Sequence, residues 1–478
     1  MKKVYIYALA CALSVISCQD NEWVADNATS QVPELEIPMG AADGELLIKF
    51  VPEMSDILDQ TLTRAGGVST RSGIPSTDEV LNILGAYHFE RVFPVDPKTE
   101  KRTREAGMHL WYIVRFDKDT DLKEAARQLR KLGEISKIQS NPTIRRAYDP
   151  KKKPLYLSAS DLQHVTRTSE GLTFNDPGLK HQWHYQNTGS YDFVKEGAEA
   201  IAGADVNCGE AWKLCKGDPT IIVAVLDEGV MWNHPDLIGN MWTNEAEEIG
   251  STEDKDGNGY KGDRYGYNFV KNTGVISWTS AEDTGHGTHV AGTIAAVNNN
   301  NEGVGGIAGG DGTENSGVKI MTCQLFDGTY GCTLAAEAKA IKYAADNGAA
   351  IIQCSFGSKA GAYTSDSAYE RGSGVQYNAI KYFIESQNCD AVGGGVVIFA
   401  AGNDATAMSG YPGAYHDYIS VTSFSPDYLP AYYTNYGPGC NISAPGGDYK
   451  ISADAAKTYA EVLSTVPSEF SEYNGADY

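Results

Sequence analysis

Cysteine is scarce in this chain, and none of its pairs falls into a CxxC or other metal-binding spacing, so the sequence carries no motif for a thiolate-held zinc or a dithiol redox centre. Long apolar runs are missing too: the stretch Val4 to Ile16 is too short to span a bilayer comfortably. Basic residues are few, with 39 Lys plus Arg against 62 Asp plus Glu and a net charge of -23. Phosphate backbones demand a basic footprint, so nucleic acid is excluded as a partner. The deficit is local: residues 151–478 hold 20 Lys plus Arg against 40 Asp plus Glu, whereas the first 150 are almost balanced at 19 against 22. Such a surface suits an extracellular domain that binds cations, and it serves solubility equally well. Hydrophobic residues at 42% and charged ones at 21% exclude wholesale disorder, and 478 residues exceed one core, which predicts two folded domains plus tails.

Lys2 and Lys3, the apolar run and the ending Val15-Ile16-Ser17-Cys18 resemble a bacterial lipoprotein signal. The resemblance implies that residues 1–17 are removed, that Cys18 carries lipid, and that the lipid anchors the chain to a membrane. The alternative is a plain signal peptide with a chance cysteine. Asp20 and Glu22 resemble the surface-export signal of Bacteroidota lipoproteins, which implies the outer membrane or cell surface. Cys11 leaves with the signal, and seven cysteines remain, all in the acidic half. An odd number cannot all pair internally. Cys208 and Cys215 lie two turns apart on an expected helix, about 10 Å along its axis, and should not bond each other. Cys354, inside an apolar run, reads as a free core thiol.

Residues 18–43 are polar and read as a tether. Over 44–148 the pattern predicts strands at 45–50, 86–93, 110–116 and 135–139, with helices at 54–62 and 121–129. That β-α-β-β-α-β order is a small ferredoxin-like α+β sandwich, and the stretch Thr63 to Ser76 reads as a flexible insertion in it. Residues 149–174, with Lys151-Lys152-Lys153, read as an exposed linker that holds a processing site. From 175 to 478 apolar β-branched runs alternate with helical patterns, which predicts an α/β domain with a doubly wound parallel sheet covered on both faces.

Val225-Leu226-Asp227-Glu228-Gly229-Val230, His234-Pro235-Asp236-Leu237, the run Gly285-His286-Gly287-Thr288-His289-Val290-Ala291-Gly292, Cys354-Ser355-Phe356-Gly357 and Ala400-Ala401-Gly402-Asn403-Asp404 occur in that order. Together they resemble the subtilisin family of serine proteases. The resemblance implies that His286 is the general base and later acid, held in one tautomer by Asp227. It implies that Asn403 donates to the developing oxyanion, and that Ser355, Phe356 and Gly357 take an extended polypeptide substrate as an added strand. His289 reads as structural, and the stretch Ser358 to Gly374 as a shaper of specificity or a surface decoration. The family's Gly-Thr-Ser nucleophile motif is not among the 478 residues, so these are expected to be a fragment of a longer protease, truncated before that serine, and to hydrolyse no peptide. The competing readings are a catalytically inactive subtilisin-like binding protein at the cell surface and a calcium-dependent adhesion or carbohydrate-binding module.

Asp254-Lys255-Asp256-Gly257-Asn258-Gly259-Tyr260 matches the start of an EF-hand loop, with oxygens from Asp254, Asp256, Asn258 and the Tyr260 carbonyl, and Asp263 to close it, which predicts structural calcium. Asp236 with Asn300 resembles the family's tight calcium site. The 44–148 region resembles the family's inhibitory propeptide; its sheet is then expected on the protease helices, with Pro142 to Tyr148 in the cleft like a substrate. An independent adaptor domain is the alternative. A monomer is expected.

Overall fold

The computed structural model describes residues 35–38, 40–65, 68–148, 173–189, 194, 198–451, 460–467 and 478. The expected signal, Cys18, most of the tether and most of the 149–174 linker lie outside them.

The small N-terminal sheet has five antiparallel strands, β1 (Ala41–Phe50), β2 (Val68–Ser69), β3 (His88–Arg91), β4 (Trp111–Arg115) and β5 (Ile135–Pro142), in the order β2-β3-β4-β1-β5. Without β2 this is the ferredoxin-like arrangement that the pattern predicts. Two boundaries differ. The fold begins before residue 44: Leu35 is buried in this core, and Ala41 pairs with Pro142. The stretch expected as a flexible insertion contains β2 and leads directly into the helix Pro75–Ile83, because the Asp78 carboxylate accepts from the Ser72 N–H, the Ser72 hydroxyl and the Gly73 N–H and so fixes the turn.

The period of two in β1 and β4 divides their side chains between two cores. Leu46, Ile48, Phe50, Tyr112 and Val114 pack on the domain's own helices through Leu58, Ala125, Ala126 and Leu129. Leu47, Trp111 and Ile113 point the other way, into a core built from the helices Leu334–Asp346 and Gly374–Ser386 of the larger domain. Residues 35–478 accordingly form one compact unit.

The larger sheet consists of β6 (Ile222–Glu228), β7 (Gly266–Asn268), β8 (Lys319–Asp327), β10 (Ala349–Cys354), β11 (Val396–Ala400), β12 (Ile419–Phe424) and β13 (Ile442–Pro445), all parallel, with β9 (Tyr330–Gly331) as a hairpin partner of β8. The order is β13-β12-β11-β10-β6-β8-β7. Both faces of β6 are covered: Val223 and Val225 meet Ala291 and Ala295 of the helix His286–Ala295, while Ala224 and Leu226 face the helices Leu334–Asp346 and Gly374–Ser386. Continuous apolar sequence in β6 is the consequence of that double burial. Strand order reverses beside β6, and in a doubly wound sheet such a switch point opens a crevice at the carboxyl ends of the strands.

All seven described cysteines are free. Burial pushes the Cys354 thiol well above its ordinary value, as an inert core group requires. The helix expected to carry both Cys208 and Cys215 is one turn, Cys208–Ala211, and Cys215 lies beyond it.

Candidate active site

β6 carries Asp227 to the crevice, where its side chain is almost fully buried. Gly285, at φ 77°, caps the helix His286–Ala295, which makes His286 its first residue. A side chain at Gly287 would collide with the Glu228 carbonyl, which explains why glycine follows the histidine. The result is a close pair: His286 Nδ1 lies 2.9 Å from Asp227 Oδ1 and 3.0 Å from Oδ2. Asp227 Oδ1 also accepts the Glu228 N–H at 2.7 Å. Enclosure pulls the His286 imidazole down, but the charge and hydrogen bond of Asp227, with Glu228 behind it, outweigh this and leave it above its ordinary value. An acceptor at Nδ1 fixes the tautomer that leaves Nε2 free to take a proton. His289 takes no part: its Nε2 donates to the Val462 carbonyl at 2.9 Å, and burial holds its pKa at about 4.

The end of the small domain runs through this crevice as an extended peptide. Thr143 bridges Thr333, the Ile144 N–H donates to the Cys332 carbonyl at 2.9 Å, and Arg146 bridges Phe356 in antiparallel sense. Ser355-Phe356-Gly357 thus meets a strand-like peptide where the sequence places a substrate. Ser355 Oγ itself accepts from Gln353 Nε2, and Gly357 lies against the backbone of Tyr411. Asn403 Nδ2 donates to the Ala147 carbonyl at 3.1 Å. The next residue, Tyr148, stacks on the His286 ring with centroids 3.9 Å apart and planes 11° from parallel, its hydroxyl 3.5 Å from Asp227 Oδ1. Burial and the Asp227 charge raise the Tyr148 phenol well above its ordinary value, so it stays neutral. Asn403 thus holds the carbonyl of the Ala147–Tyr148 peptide, while the Asp227–His286 pair packs against the side chain of Tyr148.

Two acids that the sequence reading missed stand beside it. Glu228 accepts from the Thr284 N–H at 2.9 Å and the His286 N–H at 3.1 Å, and Asp283 from the Ser280 and Gly328 N–H groups. Burial, then the neighbouring Glu228, raises Asp283 to about 7. Glu228 was visible only as the neighbour of Asp227; nothing local marks Asp283, whose role comes from its approach to Glu228 across the fold.

In the expected calcium loop the structure gathers Asp256 and Asp263 with Glu247, their oxygens within 4.8 Å of one another. Glu247, which stands before the loop, was also missed. Asp254 is not in this cluster: its oxygens accept the Gly257, Asn258 and Gly259 N–H groups and shape the turn. The Asn258 oxygen accepts the Tyr260 N–H while its amide donates to Asp263, so at the orientation present it offers the cluster a donor. Burial, then Asp256 and Glu247, raises Asp263 to about 6. Lys98 of the small domain reaches Asp256 at 3.3 Å. At the second place, Asn300 Nδ2 donates to Asp236 Oδ1 at 2.8 Å and the Val304 N–H to Oδ2 at 2.9 Å, and Asp176 accepts the Asn299 and Asn300 N–H groups nearby. In the stretch 358–374, Tyr369 is buried and stacks on Tyr411, so that residue belongs to the core rather than to a surface decoration.

Residues 218–478 match the model of the subtilase family, peptidase S8. Halolysin of Haloferax mediterranei is 28% identical over 316 residues, 66% of this chain and 51% of that protein. Thermitase of Thermoactinomyces vulgaris is 31% identical over 256 residues, 54% of this chain and 73% of that protein. The chain thus spans about half the length of halolysin. Fervidolysin of Fervidobacterium pennivorans, a keratinolytic enzyme related to subtilisin, shares the fold at a TM-score of 0.51 and 18% identity, over 93% of this chain and 50% of that one.

Proposed function

Since the chain belongs to the subtilase family of serine peptidases, we propose that it is the precursor of an endopeptidase whose small N-terminal domain is an inhibitory propeptide. The observation that carries this reading is the Ala147–Tyr148 peptide lying between Asn403 and His286. A serine hydroxyl, which in the family follows the Asn403 motif and is not among these 478 residues, gives its proton to His286 Nε2 and attacks the substrate carbonyl carbon. Asp227 stabilises the imidazolium that forms, and Asn403 Nδ2 stabilises the oxyanion. His286 then protonates the leaving amine, and water releases the acyl group by the reverse sequence. The docked segment supports inhibition because it fills the same cleft in a substrate's register.

Structural calcium belongs to the proposal. Glu247, Asp256 and Asp263 are an all-oxygen donor set with two buried members and, among the described residues, one ion-pair partner, Lys98 on Asp256, which fits a hard divalent cation. These three would hold it, and it would neutralise their mutual repulsion. The Asp236 and Asn300 pair supports a second site less directly, since both Asp236 oxygens already accept N–H donors. Lipidation at Cys18 and a place on the envelope surface complete the reading and rest on the N-terminal sequence.

The test uses a gene product that includes the serine. It should hydrolyse casein, lose that activity in His286→Ala, and be inhibited by micromolar fragment 35–147. Undiminished activity with the fragment rejects the propeptide assignment. Absence of hydrolysis by that serine-containing product rejects the peptidase reading and favours a catalytically inactive binding protein at the cell surface.

A further inference from the structure

Arg146 is an arginine held inside an enclosed acidic pocket. Its side chain is 9% exposed, and its Nη2 lies 3.1 Å from Glu228 Oε1 and 3.5 Å from Asp283 Oδ1, carboxylates whose own side chains are 1% and 0% exposed. The alignment of Nη2 is that of an ion pair rather than of a directed hydrogen bond. Nη1 donates to the Glu282 carbonyl at 3.3 Å, and the guanidinium carbon lies 5.4 Å from the Phe326 ring and 5.8 Å from the Tyr148 ring. Among the described residues neither carboxylate has another cationic partner. Two buried acids close enough for Glu228 to raise Asp283 are costly unless a cation is drawn to them, and among the described residues the one Lys or Arg paired with them comes from the peptide in the cleft.

The position of Arg146 in that peptide gives the pocket its meaning. Ala147 presents its carbonyl to Asn403, so Arg146 is the second residue before the bond that the site addresses. We propose that Glu228 and Asp283 form a specificity pocket for an arginine side chain at that position, and that the enzyme selects peptides with arginine followed by a small residue before the scissile bond, its own Arg146-Ala147 | Tyr148 junction being the first such substrate. The inference rests on the peptidase reading above. Both carboxylates are anchored by backbone N–H donors from Thr284, His286, Ser280 and Gly328, so the pocket keeps its shape when the occupant changes. A neutral or acidic side chain there would leave the pair unpaired or add a third negative charge, and electrostatic discrimination at an enclosed site is steep.

Two measurements test it. In the 478-residue chain, hydrogen exchange read by mass spectrometry over residues 143–148 should speed up at least tenfold in Arg146→Ala, with partial recovery in Arg146→Lys and a comparable loosening in Asp283→Asn. Exchange elsewhere serves as the check that the variants are folded. Unchanged exchange in folded Arg146→Ala overturns the pocket whatever the enzyme does. In a gene product with the serine, a peptide of residues 141–150 should be cleaved between Ala147 and Tyr148 with kcat/KM at least tenfold above the same peptide carrying alanine in place of Arg146, and Asp283→Asn should shrink that ratio to within about threefold. Equal cleavage of both peptides overturns the preference while the peptidase reading stands. Failure to cleave any peptide or casein sinks the peptidase reading instead, and leaves the exchange result to judge the Arg146 grip.

Discussion

Trp111→Ala should separate docking of the N-terminal domain from its folding. Trp111 is completely buried and lies in the core shared with the helices Leu334–Asp346 and Gly374–Ser386, and its Nε1 donates to Asn378 Oδ1 at 3.0 Å. Its neighbour Tyr112, equally buried, faces the domain's own helices. Truncating a buried aromatic to alanine costs about 3–5 kcal/mol. The lost hydrogen bond adds little, because Asn378 Oδ1 keeps the Lys49 Nζ donor at 3.0 Å and is not orphaned. That energy falls on the interface, so the inhibition constant of purified fragment 35–147 should rise roughly 140- to 3700-fold at 1.4 kcal/mol per decade. Tyr112→Ala should do the reverse: lower the melting temperature of the fragment and affect inhibition through that loss of fold. The assay pairs inhibition of the serine-containing enzyme with circular dichroism of each fragment. A Trp111→Ala fragment that is folded and inhibits within about threefold of wild type would refute the division of β1 and β4 between two cores.

Glu337 is buried, with Oε1 accepting from Gln376 Nε2 and Oε2 unpartnered; burial raises its pKa from 4.5 to about 8 against the smaller opposing pull of that bond. The unfolded chain loses the proton near 4.5 while the folded chain keeps it, so this group makes stability fall as pH rises from 4.5 to 8 and level off above. Glu337→Gln should flatten that limb in urea denaturation, and identical pH profiles would contradict the burial argument. Asn403→Ala in the serine-containing enzyme should lower kcat about 100- to 1000-fold with KM little changed, the size found when such a donor is removed; a loss confined to KM would argue against the oxyanion role. Calcium at 100 times its Kd should add about 2.7 kcal/mol to stability. Chelator should therefore lower the melting temperature of wild type but not of Asp256→Ala, and a wild-type melt indifferent to chelator removes the calcium proposal. Cys18→Ala should move the protein from the membrane to the soluble fraction, and persistent membrane association counts against the lipoprotein signal.

What was legible in the sequence was legible because it is local. Asp227 ends an apolar run that only a doubly covered strand can accommodate, and His286 stands between two glycines that the chain path demands. The β-α-β-β-α-β order followed from periodicity alone. What was missed comes together across the fold. Glu247 reaches Asp263 because the loop between them folds back, with Glu247 itself accepting the Gly262 N–H. The stretch around β2 is rich in Gly, Ser and Thr and carries no periodicity, yet a side-chain turn at Asp78 and pairing with β3 order it. Arg146 was placed in the cleft only as part of the segment Pro142 to Tyr148 that the family resemblance implies; its acidic partners were not legible, because Glu228 and Asp283 meet it from distant parts of the chain.

The uneven charge of the chain acquires a physical sense at the interface between its two domains. The larger domain is strongly acidic and the smaller one nearly neutral, yet the small domain turns basic side chains toward its partner: Lys98 toward Asp256 at 3.3 Å, Arg102 toward Asp346 at 3.6 Å, and Arg146 toward Glu228 at 3.1 Å. These contacts are not equivalent. Lys98 is 64% exposed and its pair is screened by salt, so it contributes to encounter more than to holding. Arg146 is enclosed, and removing it strands two buried carboxylates, so it governs how long the segment stays. On the proposed propeptide reading, electrostatics at the rim favours encounter of the small domain with the cleft, and Arg146 at the centre holds the segment there until the Ala147–Tyr148 bond is cut.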